Sequence, residues 1–214
     1  DGIESDRNYH VGTDKVVVLA LDEGDQAIVD GTFTVVESEM ASAERLDDSL
    51  VDHWLAKRND VAALESLISN NVVVDTMEVS GQWADLPGAY EAVIAAMNNV
   101  PGVLSASAHC SHSYLTGGCL YFTFAGRPIG DINLASKAEF HRAIWEAGQH
   151  AALAAGMSLS HHHGVGLARS KYMSEAHGGG MEVLSSIKSA LDPNGILNPG
   201  KLGFESLFGP IDLP

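Results

Sequence analysis

Apolar positions along the chain switch between two spacings, and the switches mark out the elements. Lys15 to Leu21 (KVVVLAL) is a short β-branched run that predicts a buried strand, and Asp22-Glu23-Gly24-Asp25 after it is a helix-start signal. The helix that follows carries Ile28, Phe33, Val35, Val36 and Met40, with Gly31 and Thr32-Phe33-Thr34 weakening its first half. Ser49 to Lys57 and Val61 to Ile68 predict two short helices broken near Arg58-Asn59-Asp60. Val72 to Val79 reads as a strand, and Leu86 to Met97 as a helix with Tyr90, Val93, Ile94 and Met97 on one face.

Val103 to Tyr114 and Cys119 to Phe124 are two strand-like runs joined at Thr116-Gly117-Gly118, which predicts an antiparallel hairpin. Asp131 to Ala155 is the longest helical stretch, with Phe140, Ile144, Ala147 and Ala151 at helical spacing and Gly156 placed to cap its end. Met181 to Leu191 is a last helix, stopped by Asp192-Pro193-Asn194-Gly195. This order of strands and helices suits an α+β fold, an antiparallel sheet with helices packed mainly on one face and a helical tail at the carboxyl end. A single domain over residues 1–214 is expected, with a polar first dozen residues.

Composition narrows the function. Lys plus Arg number 12 against 28 Asp plus Glu, a formal net charge of -16, which argues against nucleic acid or an anionic membrane surface as partner. No run approaches the roughly 20 apolar residues of a membrane helix, and Asp1-Gly2-Ile3-Glu4-Ser5-Asp6 lacks the layout of a secretion signal, so a cytoplasmic chain is expected. Cys110 and Cys119 flank the hairpin turn and are expected to be two buried thiols.

The most unusual stretch is Ser160-His161-His162-His163-Gly164-Val165-Gly166. Imidazoles titrate near neutrality and can take a proton or polarise an oxygen, and the flanking glycines let backbone approach a flat ligand. Alternation along an extended chain would send His161 and His163 to one side and His162 to the other. A metal reading would recruit His109, His112 and His177, but a histidine triplet alone does not bring ligands onto a common side, and no metal is expected. His109 and His112, three apart in a strand, are expected to face opposite ways. Tyr114 and Tyr121 lie on the two arms of the hairpin, where a tyrosine is more often a packed residue than a catalyst. Arg127, Arg142, Arg169 and Lys171 are sparse cations, and one turned inward could clamp an anion. Gly178-Gly179-Gly180 lacks the spacing and the preceding strand of a dinucleotide-binding fingerprint.

Ser158-Leu159-Ser160-His161-His162-His163-Gly164-Val165-Gly166 followed by Leu191-Asp192-Pro193-Asn194-Gly195-Ile196-Leu197-Asn198-Pro199-Gly200-Lys201 resembles the FAD-linked oxidase C-terminal domain of the vanillyl-alcohol-oxidase superfamily. The triplet motif, the Tyr114-to-Phe122 hairpin, and Val74-Asp75-Thr76-Met77-Glu78 with Trp83 are most similar to the alkyldihydroxyacetonephosphate synthase branch. The resemblance implies a ferredoxin-like sheet over the flavin ring, and an FAD-dependent oxidoreductase or transferase acting on a small hydroxy acid, alcohol or anionic lipid precursor. It assigns acid–base work to Tyr121, and active-site places beside flavin and substrate to His161, His162 and His163. His163, Gly164 and Asn198 would lie against the cofactor, and Arg58, Arg169 and Tyr114 would serve the substrate.

The arginine with which that branch grips its substrate falls here at Leu64 or Glu65, the nearest cation being Arg58. A non-catalytic binding or assembly module that keeps the fold is therefore the rival expectation. FAD is expected to be held mainly by an amino-terminal domain outside these residues, on the same protein or a separate subunit. The partners expected are that domain and a small-molecule substrate, with a homodimer left open. The triplet and the Asn198-Pro199-Gly200 tail are expected to share one wall of a concave surface.

Overall fold

The computed structural model describes residues 17–209. The chain divides into two compact units, residues 1–61 and 62–214.

In the first unit, helix α1 (Gln26–Glu39) starts where the acidic signal places it, with the Asp25 carboxylate accepting from the Ala27 N–H. Helix α2 (Ser49–Lys57) follows. The strand expected at Lys15–Leu21 does not form: Lys15 and Val16 lie outside the described residues, and 17–21 run without a ladder partner, leaving Val18, Leu19 and Leu21 exposed. A β-branched run becomes a strand only where an edge receives it.

A turn of 3-10 helix (Val61–Leu64) leads to α3 (Glu65–Ser69) and into the second unit, which is built on three antiparallel strands. β1 (Val73–Gln82) and β2 (Val103–Ser113) flank a central β3 (Gly117–Gly126), so the hairpin pairs β2 with β3 and β1 adds to the far side. Helices α4 (Leu86–Asn98) and α5 (Leu134–Ala154) cover one face. The fold is α+β, as the alternation of periods implies.

Side-chain alternation sorts the strands. Met77 and Val79 of β1 with Leu120, Phe122 and Phe124 of β3 point at the helices, meeting Leu86, Ala89, Val93 and Met97 of α4 and Phe140, Ile144 and Trp145 of α5 in one core. The buried positions of α4 recur every three or four residues, the spacing that keeps one helix stripe inside. Asn133 starts α5 with a reciprocal cap to Ser136, and Gly156, at φ +79°, lets the chain leave it.

β2 carries an irregularity with a large effect. Cys110 pairs with Leu120 and His112 with Cys119, so Ser111 is an extra residue bulged out of the ladder. Past the bulge the alternation is reset. His109 opposite Tyr121 and His112 opposite Cys119 therefore fall on the same face, correcting the expectation that they diverge. Cys119 is buried, but Cys110 is exposed and both thiols are free, so the expectation of two buried cysteines holds for one of them.

Beyond α5, a loop runs to a 3-10 turn (Ser170–Tyr172), a short helix α6 (Met173–His177) and α7 (Gly180–Leu191). No helix among the described residues is long and apolar enough to cross a membrane.

Candidate functional site

The face of the sheet away from the helices is polar. It presents Thr76, Glu78 and Ser80 from β1, Cys119 and Tyr121 from β3, and His109 and His112 from β2. The loop after α5 lies across it. Ser158 joins the edge of β1, its N–H reaching the Ser80 carbonyl at 2.8 Å and its hydroxyl taking the Ser80 N–H at 3.0 Å.

Two residues further on, the loop wraps around Glu78, whose side chain is wholly buried. Glu78 Oε1 accepts the Ser160 hydroxyl at 2.6 Å, the His161 N–H at 2.8 Å and the His163 N–H at 3.1 Å. Oε2 receives the His162 N–H at 3.4 Å and the Cys119 thiol at 3.5 Å. Successive N–H groups folded about one anion form a nest, here closed on a carboxylate of the protein itself. Burial alone would raise the pKa of Glu78; the bonds from Ser160 and from the His163 and His161 amides outweigh it and hold the group at about 2. The same carboxylate raises the Cys119 thiol, adding to a larger effect of burial.

The nest overturns the expected alternation of the triplet. With all three amides turned to Glu78, the rings cluster: His161 and His162 lie 5.1 Å apart by centroid, and His162 and His163 4.4 Å. His112 sits 5.1 Å from His161 and 4.9 Å from His162. Tyr121 stands edge-on to His163 at 5.6 Å and 5.2 Å from His109, and its phenol oxygen accepts from Thr76 Oγ1 at 3.1 Å. Tyr114 Oη meets His161 Nε2 at 2.9 Å, and Trp83 Nε1 donates to the Tyr114 carbonyl at 2.9 Å, fixing the hairpin turn beside the loop.

Arg169 holds the loop from behind. Its Nε donates to the Leu159 carbonyl at 3.0 Å and its Nη1 to the Gly164 carbonyl at 3.3 Å, the residues on either side of the nest, and the guanidinium lies 5.0 Å over the Trp145 ring. It is buried, which lowers its pKa, while the charges of Glu78 and Asp75 work the other way. Arg169 thus faces loop carbonyls and an indole ring. Gly164 adopts φ +74° with open space where a Cβ would point, the conformation that brings its carbonyl to Arg169. Arg58 belongs to the first unit, where its guanidinium lies 5.4 Å over Trp54.

The tail is organised separately. The Asp192 carboxylate accepts the Ile196 N–H at 3.0 Å and the Leu197 N–H at 2.9 Å and pairs with Lys188, so the Asp-Pro-Asn-Gly-Ile segment is a carboxylate-capped turn. Asn198, at φ +47°, is exposed. Gly200 lines a hollow of about 890 Å³ with Asp75, His141, Trp145, Lys171 and Phe204, whereas His161 lines another of about 490 Å³ with Tyr114, Ser80, Gly117 and Met157. Gly200 of the tail and His161 of the triplet thus line different hollows, where a common wall was expected.

Glu78 and Cys119 are residues of this face to which the sequence reading gave no role, and it weighed His109 and His112 only as metal ligands. Glu78 left one signal: a carboxylate flanked by Met77 and Val79 in a strand must find donors once buried. His112 reaches this face only through the bulge at Ser111.

Two sets of ligand atoms, Glu78–His161–His162 and His112–Cys119–His161, each lie within 4.8 Å of one another. Yet His161 Nδ1 and His162 Nδ1 are 2.9 Å apart, a hydrogen-bond separation and shorter than the roughly 3.3 Å between two nitrogens on tetrahedral zinc. The donor set of imidazoles, phenol and thiol suits the polar edge of a flat conjugated ring. It offers the ring no diphosphate cradle among the described residues: Gly178-Gly179-Gly180 follows a helix, not a strand.

An antiparallel sheet covered by helices on one face, with imidazoles and a phenol on the other, defines the class of domain to which the comparisons point. The chain belongs to the family of FAD linked oxidases, C-terminal domain, which matches residues 12–202. It is 26% identical over 205 residues to the uncharacterized FAD-linked oxidoreductase YgcU of Escherichia coli O157:H7, covering 90% of this chain and 42% of that protein. Over 156 residues it is 31% identical to alkyldihydroxyacetonephosphate synthase of Trypanosoma brucei brucei, covering 70% of this chain and 25% of the synthase. A solved alkyldihydroxyacetonephosphate synthase shares the fold over 83% of this chain and 30% of its own, with a TM-score of 0.50 at 24% identity. The chain thus spans less than half the length of the curated relatives it matches.

Proposed function

We propose that this chain is the substrate-side domain of an FAD-dependent oxidoreductase, contributing the groups that orient a small substrate and move its proton. The observation that supports it is the nest on Glu78, which places three imidazoles beside the Tyr121 phenol on an open polar face. FAD, when bound, supplies the redox chemistry, and the rest of the work falls to the protein. Most of the flavin surface, including the diphosphate grip, is proposed to come from a domain or subunit outside these residues, with His163 and Gly164 against the ring. Asn198 would then contact the cofactor from the tail side.

Tyr121 is placed to exchange a proton with substrate, its oxygen already holding the Thr76 hydroxyl as donor and its own hydrogen free to give. His162, packed against the His163 ring that stands beside Tyr121, is the base in this scheme. Tyr114 and the cluster as a whole would orient a small hydroxy acid, alcohol or anionic lipid precursor. Arg169, committed to loop carbonyls, is a positioning residue in this scheme.

The test is turnover of the flavin-loaded complete protein, followed as anaerobic bleaching of oxidised flavin by a panel of 2-hydroxy acids and alcohols. Tyr121→Phe and His162→Ala should each slow the best substrate by about 10²–10⁴-fold. Unchanged bleaching in both variants would turn the reading to a non-catalytic assembly module.

A further inference from the structure

We propose that Glu78, His162, His161 and Tyr114 form a proton relay that carries a substrate proton from the open sheet face to bulk water. The idea rests on the oxidoreductase reading for its purpose, but its geometry stands on this chain alone.

The relay follows from counting hydrogens. A neutral imidazole carries one N–H, so the 2.9 Å contact between His161 Nδ1 and His162 Nδ1 holds one hydrogen between them. Glu78 decides which ring keeps it. Oε2 lies 3.3 Å from His162 Nδ1 and 3.8 Å from His161 Nδ1, and an ionised carboxylate draws the N–H to the nearer ring. His162 is therefore the Nδ1–H tautomer, and its Nε2 is left with a bare lone pair. His161 Nδ1 must accept, so His161 carries its hydrogen on Nε2 and donates it to Tyr114 Oη at 2.9 Å. Tyr114 then has its own hydroxyl hydrogen to give to water, and its side chain is about half exposed.

Burial divides the two ends. His161 is 18% exposed and His162 46%, so the shared hydrogen is inside while the outer edge of His162 faces the open side. Every other charged or titratable group facing the pair is accounted for. His112 of β2 is tied through Nδ1 to Ser111 Oγ at 2.9 Å, Cys119 of β3 and the three amides face Glu78, and His163 packs edge-on against both His162, at 4.4 Å, and Tyr121, at 5.6 Å, with its Nδ1 3.8 Å from Glu78 Oε1. Arg169 lies behind the loop on its carbonyls.

The transfer balances with no electron moved. As a substrate proton binds His162 Nε2, the Nδ1 hydrogen passes to His161 Nδ1, the His161 Nε2 hydrogen passes to Tyr114 Oη, and the former phenol hydrogen leaves to water. One proton enters and one departs. The tautomers are restored in the product half of the cycle, when His162 Nε2 gives a proton to product, the ring hydrogens shift back, and Tyr114 takes one proton from water. Glu78 is a positioning residue here, since it touches neither substrate nor solvent.

The experiment is imidazole ¹⁵N NMR of the 214-residue chain at about pH 8.5, where unperturbed histidines are neutral. His162 should appear as the Nδ1–H tautomer and His161 as Nε2–H. Glu78→Gln should move His162 to Nε2–H. Tyr114→Phe should leave the fold intact and slow exchange with water of the hydrogen between the two rings by about tenfold or more. If Glu78→Gln does not fold, the wild-type tautomers and the Tyr114→Phe exchange rate still decide. His162 as Nε2–H in the wild type, or exchange untouched by Tyr114→Phe, overturns the relay. Correct tautomers with unchanged flavin bleaching in Tyr121→Phe and His162→Ala would sink the oxidoreductase reading instead.

Discussion

Glu78 Oε1 and Ser160 Oγ are 82 positions apart along the chain and 2.6 Å apart in space, and this hydrogen bond brings the loop after the long helix onto the open face of the sheet. The carboxylate is wholly buried and takes Ser160 together with three consecutive backbone amides, so fold and site share one anchor.

Acid should release that anchor. Glu78 is held at about 2 against an ordinary 4.5, and Asp75 is also lowered, by His141, Trp145 and the Thr76 amide acting against its burial. A depressed carboxylate binds fewer protons folded than unfolded, so its stabilisation is complete above about 4.5 and is lost as pH falls towards about 2. Urea midpoints measured from pH 6 down to pH 2.5 should fall steadily for the wild type, and less for Glu78→Gln.

Glu78→Ala removes the acceptor and leaves a hydroxyl and three N–H groups facing a void. The expected loss is about 3–5 kcal/mol, read from denaturant unfolding, with Glu78→Gln costing less because one carbonyl oxygen remains.

Arg169→Lys keeps the charge but surrenders the two-carbonyl fork and the stacking over Trp145. A loss of about 2 kcal/mol is expected. Amide exchange at His161 and His163 should speed up more than exchange in β3, because the carbonyls gripped are those flanking the nest.

Gly117→Ala should be costly for a backbone reason. A Cβ there would meet the Gly81 carbonyl oxygen at 2.0 Å, where β3 passes the end of β1. Since main chain must move, a loss of about 1–3 kcal/mol is expected, with fraying of the β1–β3 end visible in amide exchange. Gly81→Ala meets the flexible end of Met157 instead, so it should cost less.

The sequence made the helix face of this fold readable and hid much of the other face. Leu86 to Met97 and the hairpin runs are found nearly where periodicity puts them, because each buries one apolar stripe or alternates against it. Lys15 to Leu21 fails as a strand since apolar content says nothing about whether a neighbouring edge exists. His109 and His112 were separated by strict alternation, and one bulged serine brought them together. The histidine triplet was conspicuous, but its geometry is dictated by Glu78, a residue distant in sequence that no local pattern links to it. The tail motif was legible as a motif, while its Asp192-capped turn and its separate hollow required coordinates.

The unequal exposure of the two thiols makes the protein easy to instrument. A maleimide dye should choose Cys110, on the rim of the hairpin, and spare Cys119 beneath the carboxylate. A single fluorophore so attached sits on the helix side of the sheet, opposite Leu120, and marks the hairpin without a substitution among the imidazoles.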